Sequence, residues 1–333
     1  MVGGKGTRLM PLTKDRPKPI LPVTDRPCLS YLIGSLAEGG IEEVILACGY
    51  RSEKMRDAIG DGSREGIHID YAYEDVPMGT AGAIKLLEDR LDDTFVAANG
   101  DIFADIDLKK EIEEHKRTGA SVTISLTGVD DPTEYGIARL DGDGRITEFK
   151  EKPSKEEVFS NLINAGIYVA EKKVLGYVPE GKMYDLSKEL IPGLMNKGHR
   201  IQGCMLSGVW MDVGRPGDLI RANMTAAGRL TEKEWGGAVI RSKTEGPLYI
   251  GQDGTLTDSE ASSAVISEGS KVSGSKISDS LIMARCDISE AEISGSIIGE
   301  GCIIRQGAVI IDSVIADRVT VGKNEVIIKR TVG

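Results

Sequence analysis

The sequence predicts an α/β domain on a mostly parallel sheet, followed by a second domain of short stacked repeats. Three observations point that way. Strand-like apolar runs alternate with helical patterns from about residue 40 to 150. A glycine-rich, basic stretch opens the chain. From about Ile250 to Val321, branched aliphatics return every five or six residues. A length of 333 residues suits two domains, drawn here at 1–230 and 231–333.

The opening stretch, Gly3 to Pro22, reads GGKGTRLMPLTKDRPKPILP. Gly3, Gly4 and Gly6 carry no side chains, so a ligand can approach the backbone and its N–H groups can face an anion. From Met1 to Ile20, Lys5, Arg8, Lys14, Arg16 and Lys18 face one acid, Asp15, a local balance of +4 in a chain of net charge −11. That reversal of sign beside a glycine turn suggests a seat for a polyphosphate. Neither a P-loop nor a G-x-G-x-x-G fingerprint is present, since Leu9 stands where the third glycine would be. The net charge argues against a nucleic-acid partner, which wants a broad basic face.

The elements follow in order. Strands are expected at Val44–Cys48, Ile67–Tyr73, Phe95–Ala98 and Val122–Leu126. Helices are expected near Leu29–Ala37, Glu53–Ile59, Ala83–Leu91 and Leu108–Arg117, the last capped by Asp107 and stopped by Gly119. Ligands of such sheets sit beyond the carboxyl ends of strands, so the loops at 3–8, 74–80, 99–101 and around 212 are the places to look. Five scattered cysteines without a C-x-x-C pair suggest buried thiols in a cytoplasmic protein. No apolar run approaches a membrane span and no leader is evident, so neither a membrane partner nor secretion is expected.

Val272, Ile277, Ile282, Ile288, Ile293, Ile298, Ile304, Ile310, Ile315 and Val321 mark the repeat. The step is neither helical nor alternating. It resembles the hexapeptide repeat of left-handed parallel β-helices, in which each aliphatic fills the inside of a triangular coil and is buried only by the next coil. An open coil end invites a partner, so a homo-oligomer through this domain is expected.

Residues 3–225 resemble the sugar-1-phosphate nucleotidyltransferase family. The match is carried by GGKGTRLMPLT with Lys18 in RPKP, and by PMGTAGAI, DDPTEYG, EFKEKP, LINAGIY and WMDVGRP. Together with the repeat, the pattern is most similar to mannose-1-phosphate guanylyltransferases with a C-terminal β-helix. The resemblance implies a Rossmann-like fold and transfer of a nucleotidyl group from a nucleoside triphosphate to a sugar-1-phosphate. It implies that Gly3, Gly4, Gly6, Thr7, Arg8, Glu74, Pro77, Gly79, Thr80, Ala81, Asn99, Gly100 and Asp101 bind the nucleotide. Tyr135, Gly136, Glu151, Lys152, Asn164 and Asp212 would bind the sugar phosphate. Asp101 and Asp212 would hold Mg²⁺, and Arg8, Lys18, Asp101 and Lys152 would carry catalysis. In the family a full hydrophobic strand precedes the glycine turn. Here only Met1 and Val2 do, so upstream residues are expected to be missing; otherwise the sheet should be open there and less stable.

The implied nucleophile is a phosphate oxygen already ionised at neutral pH, so no general base is needed. His68, His115 and His199 lie outside the matched strings. The obstacle is repulsion between two polyanions, which cations must cancel. Relatives using glucose-1-phosphate with dTTP, UTP or ATP share most of these strings. A non-catalytic sugar-nucleotide sensor is a further alternative, although such subunits usually lose a catalytic Lys or Asp. An acyltransferase β-helix is disfavoured because no histidine follows His199.

Overall fold

The computed structural model describes every residue except Lys5, Tyr50, Arg51 and Asp75. Lys5 of the basic stretch and Asp75 of the 74–80 turn therefore lie outside the described residues. The chain forms two compact bodies, and neither is continuous in sequence. One comprises Met1–Gly4 with Leu29–Trp210; the other comprises Lys5–Cys28 with Met211–Gly333.

In the first body the expected strands form at Glu43–Cys48, His68–Tyr73, Thr94–Ala98 and Val122–Gly128. Val122–Gly128 pairs in parallel with Ile201–Met205, and Glu43–Cys48 in parallel with His68–Tyr73. Leu162–Glu171 runs antiparallel between Thr94–Ala98 and Val122–Gly128, so those two share one direction. Gly136–Leu140 and Ile146–Glu151 complete this six-stranded sheet, in which four strands share a direction and Leu162–Glu171 and Ile146–Glu151 run against them. Ile124, Leu126, Tyr168 and Leu194 fill its core. The helix near 108 forms at Lys109–Thr118: Asp107 Oδ1 accepts the Lys109 N–H at 3.0 Å, and Gly119 closes it at φ 60°. The helix expected at Ala83–Leu91 instead spans Gly79–Lys85, followed by a short 3₁₀ turn at Glu88–Arg90.

Glu43–Cys48 and Thr94–Ala98 are not hydrogen-bonded to each other. Between them lies a cavity of about 210 Å³, lined by Val44 and Leu46 on one side and Phe95 and Ala97 on the other. Met1 and Val2 occupy its end. The Met1 nitrogen donates to Ala98 O at 2.8 Å, Val2 N–H to Ala47 O at 3.0 Å, and Gly100 N–H to Met1 O at 2.9 Å. The apolar walls behind these two residues lack packing contacts on the side that faces the cavity.

The second body contains the repeats. Each marked aliphatic is buried, and the coils pair in parallel: Val272 lies beside Ile288, Ile288 beside Ile304, and Ile282 beside Ile298. Full burial of each side chain is worth roughly 1.5–3 kcal/mol. Serines turn the corners. Ser275 donates its backbone N–H to Ser259 Oγ, sixteen positions back, while its own hydroxyl donates to Ser273 O at 2.8 Å and accepts the Ala291 N–H at 3.0 Å. Ser280, Ser296 and Ser313 repeat the arrangement. All five cysteines are buried and unbridged, and no described helix is long and apolar enough to cross a membrane.

Glu111, on the buried face of the Lys109–Thr118 helix, has no hydrogen-bond partner on either carboxylate oxygen, and burial pushes its carboxyl up to about 7. The unfolded group titrates near 4.5, so the fold binds the extra proton and loses stability as pH rises from 4.5 through 7. Glu111→Gln should raise the midpoint by about 3–6 °C near pH 8 and leave it almost unchanged near pH 4.5. Equal shifts at both pH values would contradict that origin.

Candidate active site

In the first body, strand pairing brings two of the expected turns together. Asn99 follows Thr94–Ala98, and its N–H donates to Gly166 O at 2.8 Å. Gly166 has φ 75°, and a Cβ there would lie 2.5 Å from Asn99 Nδ2, so only glycine fits. Gly100 is buried with Val2 Cγ1 only 2.4 Å from where its Cβ would be, and Asp101 emerges half-buried. Asn164 does not point its amide outward. Its Nδ2 donates to Tyr168 Oη at 2.7 Å and Ser187 Oγ at 3.2 Å, and its Oδ1 accepts the Gly166 N–H at 2.9 Å. These bonds orient the turn of Asn164, the residue expected on the sugar phosphate.

Tyr135, Gly136, Glu151 and Lys152 also converge. Gly136 is paired with Glu151, and a Cβ on it would fall 2.6 Å from Glu151 Oε2. Lys152 N–H donates to Tyr135 O at 2.9 Å, and the Tyr135 ring meets Trp210 edge-on at 6.1 Å. Alternation would have put Lys150 and Lys152 on one face. The strand ends at Glu151, however, and Lys152 is left-handed at φ 46°, a conformation that costs a non-glycine residue about 1–3 kcal/mol. Lys150 pairs with Glu157 while Lys152 stands exposed. Burial, and after it Asp185, pushes the Glu151 carboxyl up, against the pull of Lys152 and Lys188.

Pro77 and Gly79 predict a tight turn with a helix beginning near Thr80, and the helix starts at Gly79. Glu74 Oε2 accepts the Met78 N–H at 3.0 Å, Pro77 is exposed, and Gly79 turns at φ 71° against Tyr184. The N–H groups of Ala81 and Gly82 both donate to Tyr184 O, at 3.0 and 3.1 Å. Ala81 is fully buried, so it offers a ligand neither surface nor a free donor. Thr80 Oγ1 accepts the Leu186 N–H at 2.7 Å and reaches Asp185 Oδ2 at 3.3 Å. The segment 184–189 went unread in the sequence although it braces this turn and Asn164. Its signal is a reciprocal cap: Asp185 Oδ1 accepts the Ser187 and Lys188 N–H groups, and Glu189 accepts the Asp185 N–H.

Gly3 and Gly4 are exposed, and a Cβ on Gly4 would meet nothing within 4 Å. The other half of the glycine stretch belongs to the second body. Gly6 is left-handed at φ 59°, with Lys18 Cβ and Thr13 Cγ2 each 3.1 Å from its would-be Cβ. Thr13 Oγ1 donates to Gly6 O at 2.8 Å, and Thr7–Leu9 makes a 3₁₀ turn that buries Leu9 and leaves Thr7 and Arg8 exposed. Lys18 is buried, with Nζ 3.1 Å from Asp212 Oδ1. A Cβ on Gly214 would lie 3.0 Å from Arg8 Nη2 and 3.2 Å from Asp212 Oδ2. Arg8, Lys18 and Asp212 thus form one cluster of two cations and a carboxylate. Among the described residues no group of three or more His, Cys, Asp or Glu gathers as a metal cage. Lone aspartates fit a hard cation that keeps waters and leans on substrate phosphates, as Mg²⁺ does.

A family model described as nucleotidyl transferase matches residues 1–229. The chain belongs to the nucleotidyl transferase family. A second model, described as the GlmU-like C-terminal hexapeptide, matches residues 249–332 within the β-solenoid. A mannose-1-phosphate guanylyltransferase of Mycobacterium tuberculosis is 38% identical over 67% of this chain and 62% of the relative. The catalytic subunit beta of the Drosophila melanogaster mannose-1-phosphate guanylyltransferase is 34% identical over 70% and 63%. The chain thus spans less than two thirds of both. A UTP–glucose-1-phosphate uridylyltransferase of Synechocystis is 29% identical over 95% of this chain and 81% of its own. Among solved structures, a glucose-1-phosphate thymidylyltransferase of Bacillus anthracis superposes with a TM-score of 0.62 at 29% identity, over 68% of this chain and 92% of that one.

Proposed function

We propose that the chain transfers a nucleotidyl group from a nucleoside triphosphate to a sugar-1-phosphate, releasing pyrophosphate, and that the pair it uses is GTP with mannose-1-phosphate. The observation that carries this reading is the seat of Lys18 and Arg8 at Asp212 inside a strongly acidic chain. Two adjacent cations can lower the charge of a polyphosphate that the rest of the surface repels. Lys18 and Arg8 would hold the triphosphate, and Lys152 the incoming sugar phosphate. Glu151 would accept hydrogen bonds from sugar hydroxyls. A Mg²⁺ ion held by Asp101 and Asp212 would supply further neutralisation of phosphate charge. No described histidine competes for a base role: His115 is bonded to Thr123 and Glu171, His199 to Ser121 and Tyr177, and His68 is exposed on the surface.

A second reading, a uridylyltransferase acting on glucose-1-phosphate, is favoured by one observation. The similarity to the Synechocystis relative runs through the solenoid as well. We further propose a cytoplasmic protein, on its unbridged thiols, and a homo-oligomer built through the β-solenoid.

Pyrophosphate release should be measured over a grid of five nucleoside triphosphates and several sugar-1-phosphates, with GTP and mannose-1-phosphate expected to be fastest. Silence across the grid would defeat the transferase reading. Lys18→Ala or Asp101→Ala should each lower kcat by about 10²–10³ at saturating metal and substrates, with the circular-dichroism spectrum unchanged. Near-normal turnover would remove those roles. Light scattering should give a mass above one chain; a monomer persisting at high concentration would defeat the assembly.

A further inference from the structure

Residues 6–28, which carry Arg8 and Lys18, belong to the same body as the solenoid, and three anchors tie them down. Arg16 binds Asp317 Oδ2 and lies 3.3 Å from Glu300 Oε2. Asp317 is itself fixed, because its Oδ1 accepts the Glu300 N–H at 2.9 Å. The Arg16 and Asp317 side chains are 17% and 15% exposed, so this pair is shielded better than an ordinary surface bridge. At the other end of the segment, Asp25 accepts the Glu268 N–H at 3.0 Å and the Tyr249 hydroxyl at 3.2 Å. Asn223 takes the Thr24 N–H at 2.8 Å and donates to Pro22 O at 3.0 Å.

Lys18 lies between the anchors. Pro17, at φ −62° and ψ 148°, is extended and joins the two anchored side chains by a single residue. Arg16 meets the solenoid rim, and Lys18 meets Asp212. Pro17 also restricts its predecessor, which leaves little freedom to absorb a loss at Arg16.

We propose that Asp317 and Glu300 of the solenoid are positioning residues for the transfer reaction: by holding Arg16 they set where the Lys18 ammonium stands. The solenoid is then a working part of the catalytic loop as well as a scaffold. The proposal rests on the reading that Lys18 serves an anionic substrate.

The test is a cycle of Arg16→Ala, Asp317→Ala and the double variant, with Asp317→Glu as the conservative change, assayed well below the unfolding midpoint. Each single variant should lose about tenfold in kcat with KM for both substrates moving less than about threefold. The double should lose no more than either single, and Asp317→Glu should recover part of the loss. Full kcat in Asp317→Ala, or losses that multiply in the double, would overturn the proposal. Should Asp317→Ala not fold, Asp317→Asn takes its place in the cycle. If the parent chain releases no pyrophosphate with any substrate pair, the functional reading is what has failed. The brace is then read by amide hydrogen exchange at Leu9 and Leu21, whose N–H groups close the turns at Gly6 and Lys18. Exchange should quicken at least about tenfold in the Asp317 variant; unchanged exchange would overturn the brace independently of activity.

Discussion

A lysine whose side chain is 7% exposed has lost most of its hydration, and the fold must give it an opposite charge. Asp212 supplies one from 194 positions away, at 3.1 Å. Leaving a buried ammonium unpaired costs several kcal/mol, so this contact decides whether the loop can exist in its present form. Position 6 takes glycine because its backbone is left-handed and Lys18 Cβ and Thr13 crowd the space where a side chain would be. The 3₁₀ turn that presents Arg8 starts from that glycine. Loop conformation, charge placement and the bare approach to the backbone therefore all lead back to one seated ammonium.

Much of this was legible in the chain itself. Strand positions were readable because parallel strands buried on both faces show up as continuous apolar runs. The solenoid was readable because every coil must place an aliphatic inside at a fixed step. The composition that could suggest a Ser/Gly linker proved to be the corner chemistry, with serine hydroxyls joining one coil to the next. Less was visible where partners come from far away. Two N–H groups of the helix after residue 78 are taken by Tyr184 O, and nothing near residue 79 announces that partner. Lys152 departs from strand alternation because the chain turns left-handed to meet Tyr135 O. The bonds of Asn164 to Tyr168, Ser187 and Gly166 also went unannounced.

The division of the chain was also hidden. Sequence composition changes near residue 235, and family similarity divides the chain between residues 229 and 249. Packing divides it otherwise, sending residues 6–28 with the solenoid. Polar contacts of a few side chains help to hold the segment there. Arg16 reaches Asp317 across 301 positions, and Asp25 reaches the Glu268 backbone across 243. Contacts this distant leave no periodic trace.

A stacked coil is a suitable backing for such a loop. Each turn is joined to the next by backbone pairing along its faces and by serine bonds at its corners, so a residue on the rim moves little unless its neighbours move too. Asp317 adds a bond to the Glu300 backbone, and Glu300 pairs with Arg285. A charge held that firmly can orient a guanidinium without first losing much motion of its own. A flexible lysine-bearing loop would otherwise have to be ordered by the substrate, at a cost of about 1–2 kcal/mol per backbone residue fixed. Fixing it beforehand shifts that cost from each binding event to the folding of the chain, which is the physical sense in which a repeat domain can assist chemistry it does not touch.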